Sequence, residues 1–281
     1  MKKTIQVAAE KEALSLVTNV TYAQVPSWYG FTYEDLKMDI VIPKHRDGHA
    51  PMPAILWLCG GAFCVVDKSI WIPQMIDLAR RGYVVASAQY RTSNAVSFPE
   101  PLKDVKAAVR FLRANAEKFC IDPNRIAAMG ESAGGAMSSL VGTTAGVAEF
   151  EAGENLDVSS AVQAVVNFYG PGDFSAIPRH NADANVSDWA IPAFLGGLTP
   201  EKAAHASAVN YIDEHTPPFL IFHGTGDITA PIEGSEHLYN CLVNKGVKAD
   251  FYVLDGAAHG DDMFYQTPVY DIIDDFLKAN L

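Results

Sequence analysis

Two hydrophobic periodicities alternate along the chain. Short apolar runs that are rich in β-branched and aromatic residues predict strands, and the longer segments between them carry an apolar stripe with the period of a helix. The predicted strands are Ser15–Val20, Lys37–Ile42, Ile55–Leu58, Tyr83–Ala88, Ile126–Met129, Val162–Tyr169, Phe219–Phe222 and Phe251–Leu254. The predicted helices are Trp71–Arg81, Leu102–Phe119, a small-residue segment through Met137 and Leu140, Glu233–Lys245 and Val269–Ala279.

The order of these elements predicts an α/β fold with a mostly parallel central sheet and helices on its faces. From Ile55 onwards strands and helices alternate, and each of these six strands is apolar enough to be buried on both faces. The first two strands predict an antiparallel hairpin whose loop contains Pro26, Trp28 and Tyr29. No repeat or linker interrupts the chain, so we expect residues 1–281 to form a single domain.

One segment, about 170–218, does not follow the alternation. It is rich in proline, and a long insertion between two strands is uncommon unless it has a function, so we interpret it as a lid or substrate wall. A packing excursion that covers a sheet edge is the alternative. Trp189 and Phe194 are candidates to line a substrate pocket. The segment also carries acidic residues that would line a fatty-chain trough poorly: Asp173, Asp183 and Asp188.

Composition excludes several classes of partner. The chain has 281 residues with 21 Lys+Arg and 33 Asp+Glu, a formal net charge of −12, which argues against nucleic acid binding. The most apolar stretch, Ala54–Phe63, is too short to cross a bilayer, so no membrane association is expected. Four scattered cysteines are too few for a disulfide framework in a chain of this length, which favours a reducing cytoplasm.

The sharpest motif is Gly130–Gly134, with the sequence Gly-Glu-Ser-Ala-Gly. A predicted strand runs directly into it and a small-residue helix follows, which is the setting of a nucleophile elbow around Ser132. Glycines are needed because such a turn is strained and crowded. The Ala133 N–H, at the start of the helix, is a candidate donor to a developing oxyanion.

A nucleophilic serine needs a base, and the base needs an orienting acid. Asp227 follows the seventh predicted strand and His259 follows the eighth, so the chain order is serine, acid, histidine, as in α/β-hydrolases. All three residues follow strand ends, where open α/β sheets place their sites. Asp255 and Asp261 are alternative candidates for the acid.

Other reactive side chains receive simpler interpretations. His223 is expected to be a structural histidine, Glu131 a buried hydrogen-bonding group of the oxyanion loop, and Cys59 a packing residue. His45 and His49 lie in a polar loop, so a metal pair is not expected there. No phosphate-binding loop or dinucleotide fingerprint is present, and neither a metal nor a cofactor is predicted.

From about Met38 to the C-terminus the chain resembles the α/β-hydrolase esterases of the acetyl-esterase, hormone-sensitive-lipase-like and feruloyl-esterase-like group. The motifs that carry the resemblance are the Gly-Gly loop Cys59–Ala62, Tyr90-Arg91, the run Asp104–Arg125 with its Asp122-Pro123-Asn124-Arg125, Ala133-Gly134-Gly135 and Tyr169-Gly170-Pro171. The resemblance implies the α/β-hydrolase fold and a serine esterase with Ser132 as nucleophile, His259 as general base and Asp227 as its orienter.

The resemblance also implies that Gly61 and Ala62 join Ala133 as oxyanion donors. Two departures stand out. Cys59 occupies the position where the family has a histidine, and few residues precede the first core strand, so the compact acetyl- and feruloyl-esterase-like branch fits better than the capped one. Phe63 and Trp71 are further candidates for the pocket wall.

These observations predict a carboxylesterase for small, short-acyl esters, with O-acetyl or feruloyl esters of carbohydrates among its candidate substrates. An amidase or peptidase, including an arylformamidase-like enzyme, would use the same residues. A non-catalytic binding protein on this fold is the alternative of another class. The oligomeric state and the natural ester are not predicted.

Overall fold

An eight-stranded sheet forms the centre of the molecule. The computed structural model describes residues 1–44, 50–175 and 186–281. The strands are β1 (Leu14–Ser27), β2 (Thr32–Pro43), β3 (Met52–Leu58), β4 (Val84–Ala88), β5 (Ile121–Glu131), β6 (Ala164–Phe168), β7 (Phe219–Gly224) and β8 (Ala249–Leu254). Their order across the sheet is β1-β2-β4-β3-β5-β6-β7-β8. Strands β1 and β2 pair antiparallel, as do β2 and β4, and all other neighbours are parallel, which confirms the predicted fold class.

Helices cover both faces of this sheet. They are α1 (Ile72–Arg80), α2 (Glu100–Ala114), α3 (Ala116–Phe119), α4 (Ala133–Thr143), α5 (Val186–Leu195), α6 (Pro200–His205), α7 (Ile232–Asn244) and α8 (Thr267–Asn280). One hydrophobic cluster includes buried residues of α2 and α4, and a second includes residues of α1 and α8. Among the described residues, no helix is both long and apolar enough to cross a membrane.

The structure corrects the prediction of one continuous helix over Leu102–Phe119. The helix is interrupted at Asn115, between α2 and α3. Both the backbone N–H of Asn115 and its side-chain Nδ2 donate to the Phe111 carbonyl, at 3.0 and 2.9 Å. A side chain that binds the backbone four residues earlier competes with helix continuation.

The prediction that β8 is buried on both faces is wrong. Asp250, Tyr252 and Val253 are exposed, and the other three residues of the strand are only partly buried. Because β8 is the edge of the sheet and has only β7 as a neighbour, it lacks the full cover that the central strands receive.

The N-terminal hairpin is longer than predicted, and Pro26 belongs to a strand instead of a loop. Pro26 lies opposite Tyr33 in the register of β1 and β2. Since β1 is the other edge of the sheet, a residue without an N–H is tolerated there. The turn is formed by Trp28–Gly30, and all three of its residues have positive φ.

The segment 170–218 contains α5, α6 and a 3₁₀ turn over Ala208–Tyr211. Its Phe174 and Phe194 contact Phe63, so the segment packs against the loop that follows β3. Several residues considered above lie outside the described residues, namely His45, His49 and Asp183, as does the side chain of Asp188.

Candidate active site

Ser132 lies in the turn between β5 and α4, where the elbow was predicted. Its backbone has φ 54° and ψ −120°, a conformation that is strained for a residue with a side chain. The turn is held by a hydrogen bond from the Ser132 N–H to the Phe168 carbonyl of β6, at 2.9 Å. A Cβ at Gly134 would collide with the Leu58 carbonyl of β3, so the close approach of helix and strand requires glycine there.

The structure brings the serine, the histidine and one carboxylate into a continuous hydrogen-bonded chain. His259 Nε2 is 2.9 Å from Ser132 Oγ, and His259 Nδ1 is 2.7 Å from Asp227 Oδ2. The second carboxylate oxygen of Asp227 accepts from the N–H groups of Thr229 and Ala230, at 2.8 and 2.9 Å. Asp227 is buried and follows β7, whereas His259 is partly exposed and follows β8. Such a chain can move a proton from the hydroxyl to the imidazole.

The alternative acids make other contacts. Asp255 is exposed and its Oδ1 accepts from Thr225 Oγ1 at 3.1 Å. Asp261 caps the 3₁₀ turn that follows it, because its Oδ1 accepts from the Met263 N–H at 2.9 Å. Among the three candidates, only Asp227 has a hydrogen bond to His259 in the described part of the chain.

A second histidine lies behind the Asp227 carboxylate. His223 Nδ1 is 2.7 Å from Ser235 Oγ, and its Nε2 lies 2.9 Å from the Ala230 carbonyl and 3.2 Å from Asp227 Oδ2. A carbonyl can only accept, so the proton of the neutral ring sits on Nε2 and also faces the carboxylate. The expectation of a structural histidine is confirmed, but its contact with the acid was missed. The available signal in the sequence was the four-residue separation between His223 and Asp227.

The charge of Asp227 is strongly favoured in this setting. Burial raises the pKa of its carboxyl, but hydrogen bonds from His223 and His259 outweigh burial and hold the pKa well below its ordinary value. The carboxylate is therefore ionised near neutral pH.

The loop after β3 lies beside the elbow, because Leu58 pairs with Gly130 on the neighbouring strand. Gly61 has φ 127°, and its carbonyl accepts from the N–H groups of Cys64 and Val65, at 2.9 and 3.1 Å. Among the described residues, no protein acceptor is found for the N–H of Gly61 or of Ala62. These two donors remain available to an anionic oxygen, as the Ala133 N–H at the start of α4 does.

Glu131 holds this loop, which confirms its predicted hydrogen-bonding role. Its Oε1 accepts from the Gly60 N–H and, at 3.2 Å, from Trp71 Nε1. Burial raises the pKa of the Glu131 carboxyl, although the Gly60 N–H partly opposes this shift. The Tyr90 hydroxyl also supports the loop by donating to the Cys59 carbonyl at 2.7 Å.

Cys59 is a packing residue, as expected. Its side chain is buried and donates weakly to the Gly60 carbonyl at 3.2 Å. Burial, reinforced by the nearby Glu131 carboxylate, raises the pKa of the Cys59 thiol to about 11. The thiolate needed for nucleophilic chemistry is therefore disfavoured near neutral pH.

The four predicted pocket residues have different environments. Phe63 and Phe194 are buried and stack on each other with ring centroids 3.9 Å apart, so both contribute to the hydrophobic core beneath the loop. Trp71 stacks on Tyr265 at 4.7 Å. Trp189 is exposed on α5. A direct contact of any of them with substrate stays a prediction.

A cavity of about 270 Å³ lies on the acid side of the site. Tyr169 forms part of its wall and also packs against the His259 ring, with centroids 4.6 Å apart. Pro171, Asp173 and Ile191 of the segment 170–218 form another part of the wall. Within residues 1–44, 50–175 and 186–281, no group of three or more His, Cys, Asp or Glu side chains is arranged to hold a metal ion.

Comparisons with known proteins agree with this fold. The BD-FAE family model matches residues 38–242. The chain is 31% identical to esterase LipC of Mycobacterium tuberculosis over 76% of its own length and 54% of LipC. It thus spans about half the length of the curated relatives it matches.

Two solved structures cover nearly the whole chain. A truncated carbohydrate esterase from gut microbiota is 29% identical with a TM-score of 0.83, and covers 97% of this chain and 98% of its own. The butyrate-bound esterase Est2 of Thermogutta terrifontis is 26% identical with a TM-score of 0.76, over 96% and 94% of the two chains. The match to the family model, which spans more than half of the chain, and the shared architecture place this protein in the BD-FAE family of α/β-hydrolase esterases.

Proposed function

We propose that the protein is a serine carboxylesterase that hydrolyses small, short-acyl esters. The observation that carries the proposal is the continuous contact from Asp227 through His259 to Ser132, at 2.7 and 2.9 Å, in a strained elbow beside unpaired N–H donors. The similarity to LipC and to two esterase structures supports the reaction class.

In the first half of the reaction, Ser132 Oγ bonds to the ester carbonyl carbon while His259 Nε2 takes the hydroxyl proton. The carbonyl π electrons move to oxygen, and the N–H groups of Ala133 and of Gly61 or Ala62 stabilise the resulting oxyanion. When the tetrahedral intermediate collapses, the bond to the alcohol oxygen breaks. His259 returns the proton to that oxygen, and an acyl-serine remains.

The second half repeats these steps with water as the nucleophile. His259 takes a proton from water, the hydroxide oxygen bonds to the acyl carbon, and the same N–H donors stabilise the second oxyanion. Collapse breaks the bond to Ser132 Oγ, which regains its proton from His259, and the carboxylic acid leaves. Throughout both halves Asp227 keeps the His259 ring in the required tautomer and stabilises its protonated form.

The segment 170–218 acts as a substrate wall in this proposal. Support comes from Pro171, Asp173 and Ile191, which border the cavity beside the site. A wall that includes the Asp173 carboxylate suits a short acyl group and a polar alcohol better than a fatty chain. The name of the similar carbohydrate esterase makes O-acetyl or feruloyl esters of carbohydrates the substrates to test first.

We extend the proposal to the organisation and location of the protein. Residues 1–281 act as one catalytic domain, which the sheet supports because strands from both halves of the chain contribute to one site. A reducing, cytoplasmic location agrees with Cys59, Cys64 and Cys241, each of which is present as a thiol.

A series of p-nitrophenyl esters tests the reaction and the pocket length together. We expect kcat/KM to be highest for acetate to butyrate and to collapse by octanoate. A long apolar trough would instead add about 0.8 kcal/mol per buried CH₂, or about fourfold in kcat/KM for each carbon. A maximum at octanoate or palmitate would contradict the short-acyl proposal. Faster cleavage of formamide or peptide substrates would indicate an amidase, and no turnover of any substrate would indicate a binding protein.

A further inference from the structure

Four large aromatic side chains are exposed at the tip of the β1–β2 hairpin and have no role in the proposed chemistry. They are Trp28, Tyr29, Phe31 and Tyr33, here called the aromatic tip, with 70%, 93%, 80% and 71% of their surface exposed. Contiguous exposed apolar patches of this kind mark binding surfaces in folded proteins. Trp28 and Tyr29 also have positive φ, where glycine or asparagine would be less strained. Exposed aromatic residues lower solubility, and residues with a side chain at positive φ lower stability. Their presence at this turn therefore indicates that the turn binds a ligand.

The aromatic tip projects beyond the carboxyl ends of the parallel strands, which is the side of the sheet on which the candidate active site lies. Met38 of β2 lies opposite Ala88, the last residue of β4, and β2 runs antiparallel to β4. The six residues 32–37 therefore extend past the carboxyl end of β4. At about 3.4 Å per residue, they carry the turn roughly 20 Å beyond the end of β4.

The lateral distance to the nucleophile is also modest. Ala88, Leu58 and Gly130 are at one level on adjacent strands, and Ser132 follows two residues later. β2 is three strand positions from β5, so at about 4.8 Å per position the hairpin stands about 14 Å to one side of the nucleophile. An oligosaccharide of several residues spans the distance from Ser132 to the aromatic tip, whereas a single sugar does not.

A groove lies between the hairpin and the loop that follows β3. A cavity of about 290 Å³ separates the hairpin from the loop after β3. Glu34 and Leu36 line it on the hairpin side, and Cys64, Val65 and Val66 line it on the side of the oxyanion loop. The groove therefore lies between the strand that leads to the aromatic tip and the turn in which the Val65 N–H donates to the Gly61 carbonyl.

We propose that this groove and the aromatic tip bind the sugar chain of a polymeric ester, and hold an acetylated neutral polysaccharide across the active site. The inference rests on the proposed function, because it places the ester at Ser132. The negative faces of aromatic rings attract the positively polarised C–H groups on the faces of sugar rings. The exposed residues of the tip are aromatic with no large aliphatic side chain among them, and Glu34 and Gln89 line the groove with groups that can bind hydroxyls.

Charge argues for a neutral chain. The formal net charge of −12 repels anionic polymers and anionic membranes, and Glu34 and Asp35 lie directly beside the aromatic tip. A neutral polysaccharide brings hydroxyls and apolar ring faces and suffers no such repulsion.

The test compares a polymer with two small esters in the full-length protein. The triple variant Trp28→Ala/Tyr29→Ala/Phe31→Ala is measured on acetylated xylan, on acetylated xylose and on p-nitrophenyl acetate. Tyr29→Ala serves as a milder variant. Tyr252→Ala is the matched control, since Tyr252 is an exposed aromatic residue of β8 at the opposite edge of the sheet.

We expect kcat/KM on acetylated xylan to fall about tenfold or more in the triple variant, mainly through KM, as loss of ring stacking weakens binding. Both small esters should be hydrolysed at the wild-type rate within about twofold, and the Tyr252→Ala control should match wild type on all three. In a binding assay, insoluble acetylated xylan should retain the Ser132→Ala protein. It should not retain a protein that combines Ser132→Ala with the triple variant.

Three outcomes overturn the inference. They are an unchanged rate on acetylated xylan in the triple variant, a wild type that does not prefer the polymer to acetylated xylose, and a wild-type dimer in sedimentation that the triple variant converts to monomer. The last would identify the aromatic tip as a contact between two copies of the chain. If the wild type hydrolyses neither acetylated xylan nor p-nitrophenyl acetate, the result would instead contradict the proposed function.

Discussion

Replacement of Asp227 by asparagine exchanges one oxygen for an amide nitrogen, and the surrounding hydrogen bonds decide which one. The Thr229 and Ala230 N–H groups point at Oδ1 from 2.8 and 2.9 Å, so that position must be filled by an acceptor. The amide oxygen therefore takes the place of Oδ1. Its NH₂ group takes the place of Oδ2, where it faces His259 Nδ1 at 2.7 Å and the donor His223 Nε2 at 3.2 Å.

An NH₂ group opposite His259 Nδ1 reverses the hydrogen bond between the two side chains. Nδ1 must then accept, so the ring proton moves to Nε2, which faces Ser132 Oγ at 2.9 Å and no longer has a lone pair for the hydroxyl proton. A wrong tautomer of this kind costs roughly 10⁴-fold in kcat. At 1.36 kcal/mol per factor of ten, that loss is about 5.4 kcal/mol of transition-state stabilisation.

Alanine at the same position gives a useful contrast. Asp227→Ala removes the charge but imposes no tautomer on His259, so we expect it to be at least as active as Asp227→Asn. Asp255→Asn and Asp261→Asn are matched controls and should stay within about twofold of wild type, because neither side chain touches the imidazole.

The assay is kcat on p-nitrophenyl acetate, with circular dichroism to confirm that each variant is folded. A kcat for Asp227→Asn within tenfold of wild type would refute the orienting role of this carboxylate. So would an Asp227→Asn variant that is more active than Asp227→Ala, since the tautomer argument requires the opposite order.

Three further predictions follow from the same contacts. Ser132→Ala should lower kcat on p-nitrophenyl acetate by roughly 10⁴-fold or more with an unchanged melting temperature, and one tenth of wild-type activity would remove Ser132 from its role. Burial raises the pKa of Glu131, so its neutral form stabilises the fold fully below about pH 4.3, and this contribution is lost as the pH rises through the raised pKa. The melting temperature of Glu131→Gln relative to wild type should therefore increase between about pH 4 and pH 8, and a constant difference would contradict the ionisation of Glu131 in this range. With a thiol pKa of about 11, Cys59 should react with iodoacetamide far more slowly than a free thiol at neutral pH, and labelling that mass spectrometry assigns to Cys59 should reduce activity by crowding the Gly60 loop. Rapid labelling, or full activity after it, would show that the thiol is not enclosed as the structure has it.

Local patterns were sufficient for the fold class and for the order of the site residues. The apolar runs located all eight strands, because a strand that is covered on one or both faces needs apolar residues at recurring positions. Chain order then placed Ser132, Asp227 and His259 after three strand ends, which meet at one edge of a parallel sheet.

Local patterns failed where the outcome depended on what lies next to an element. The pattern predicts a loop at Pro26, but β1 is an edge strand, and an edge strand tolerates proline because its outer side has no neighbouring strand. Strand β8 was expected to be covered on both faces, yet its position at the other edge leaves Tyr252 exposed.

The sequence by itself therefore determined an α/β sheet, a serine in a glycine-rich turn, and a short set of acids that could serve its histidine. Tertiary structure alone decided that Asp227 and not Asp255 faces His259, and that His223 contacts the same carboxylate from the other side. It also decided that the hairpin tip lies beyond the carboxyl ends of the strands, on the side of the sheet where Ser132 lies. The physical reason is range. Periodicity reports which face of a single element is apolar, whereas a hydrogen bond of 2.7 Å between residues 32 positions apart depends on the order and register of strands that only the folded sheet defines.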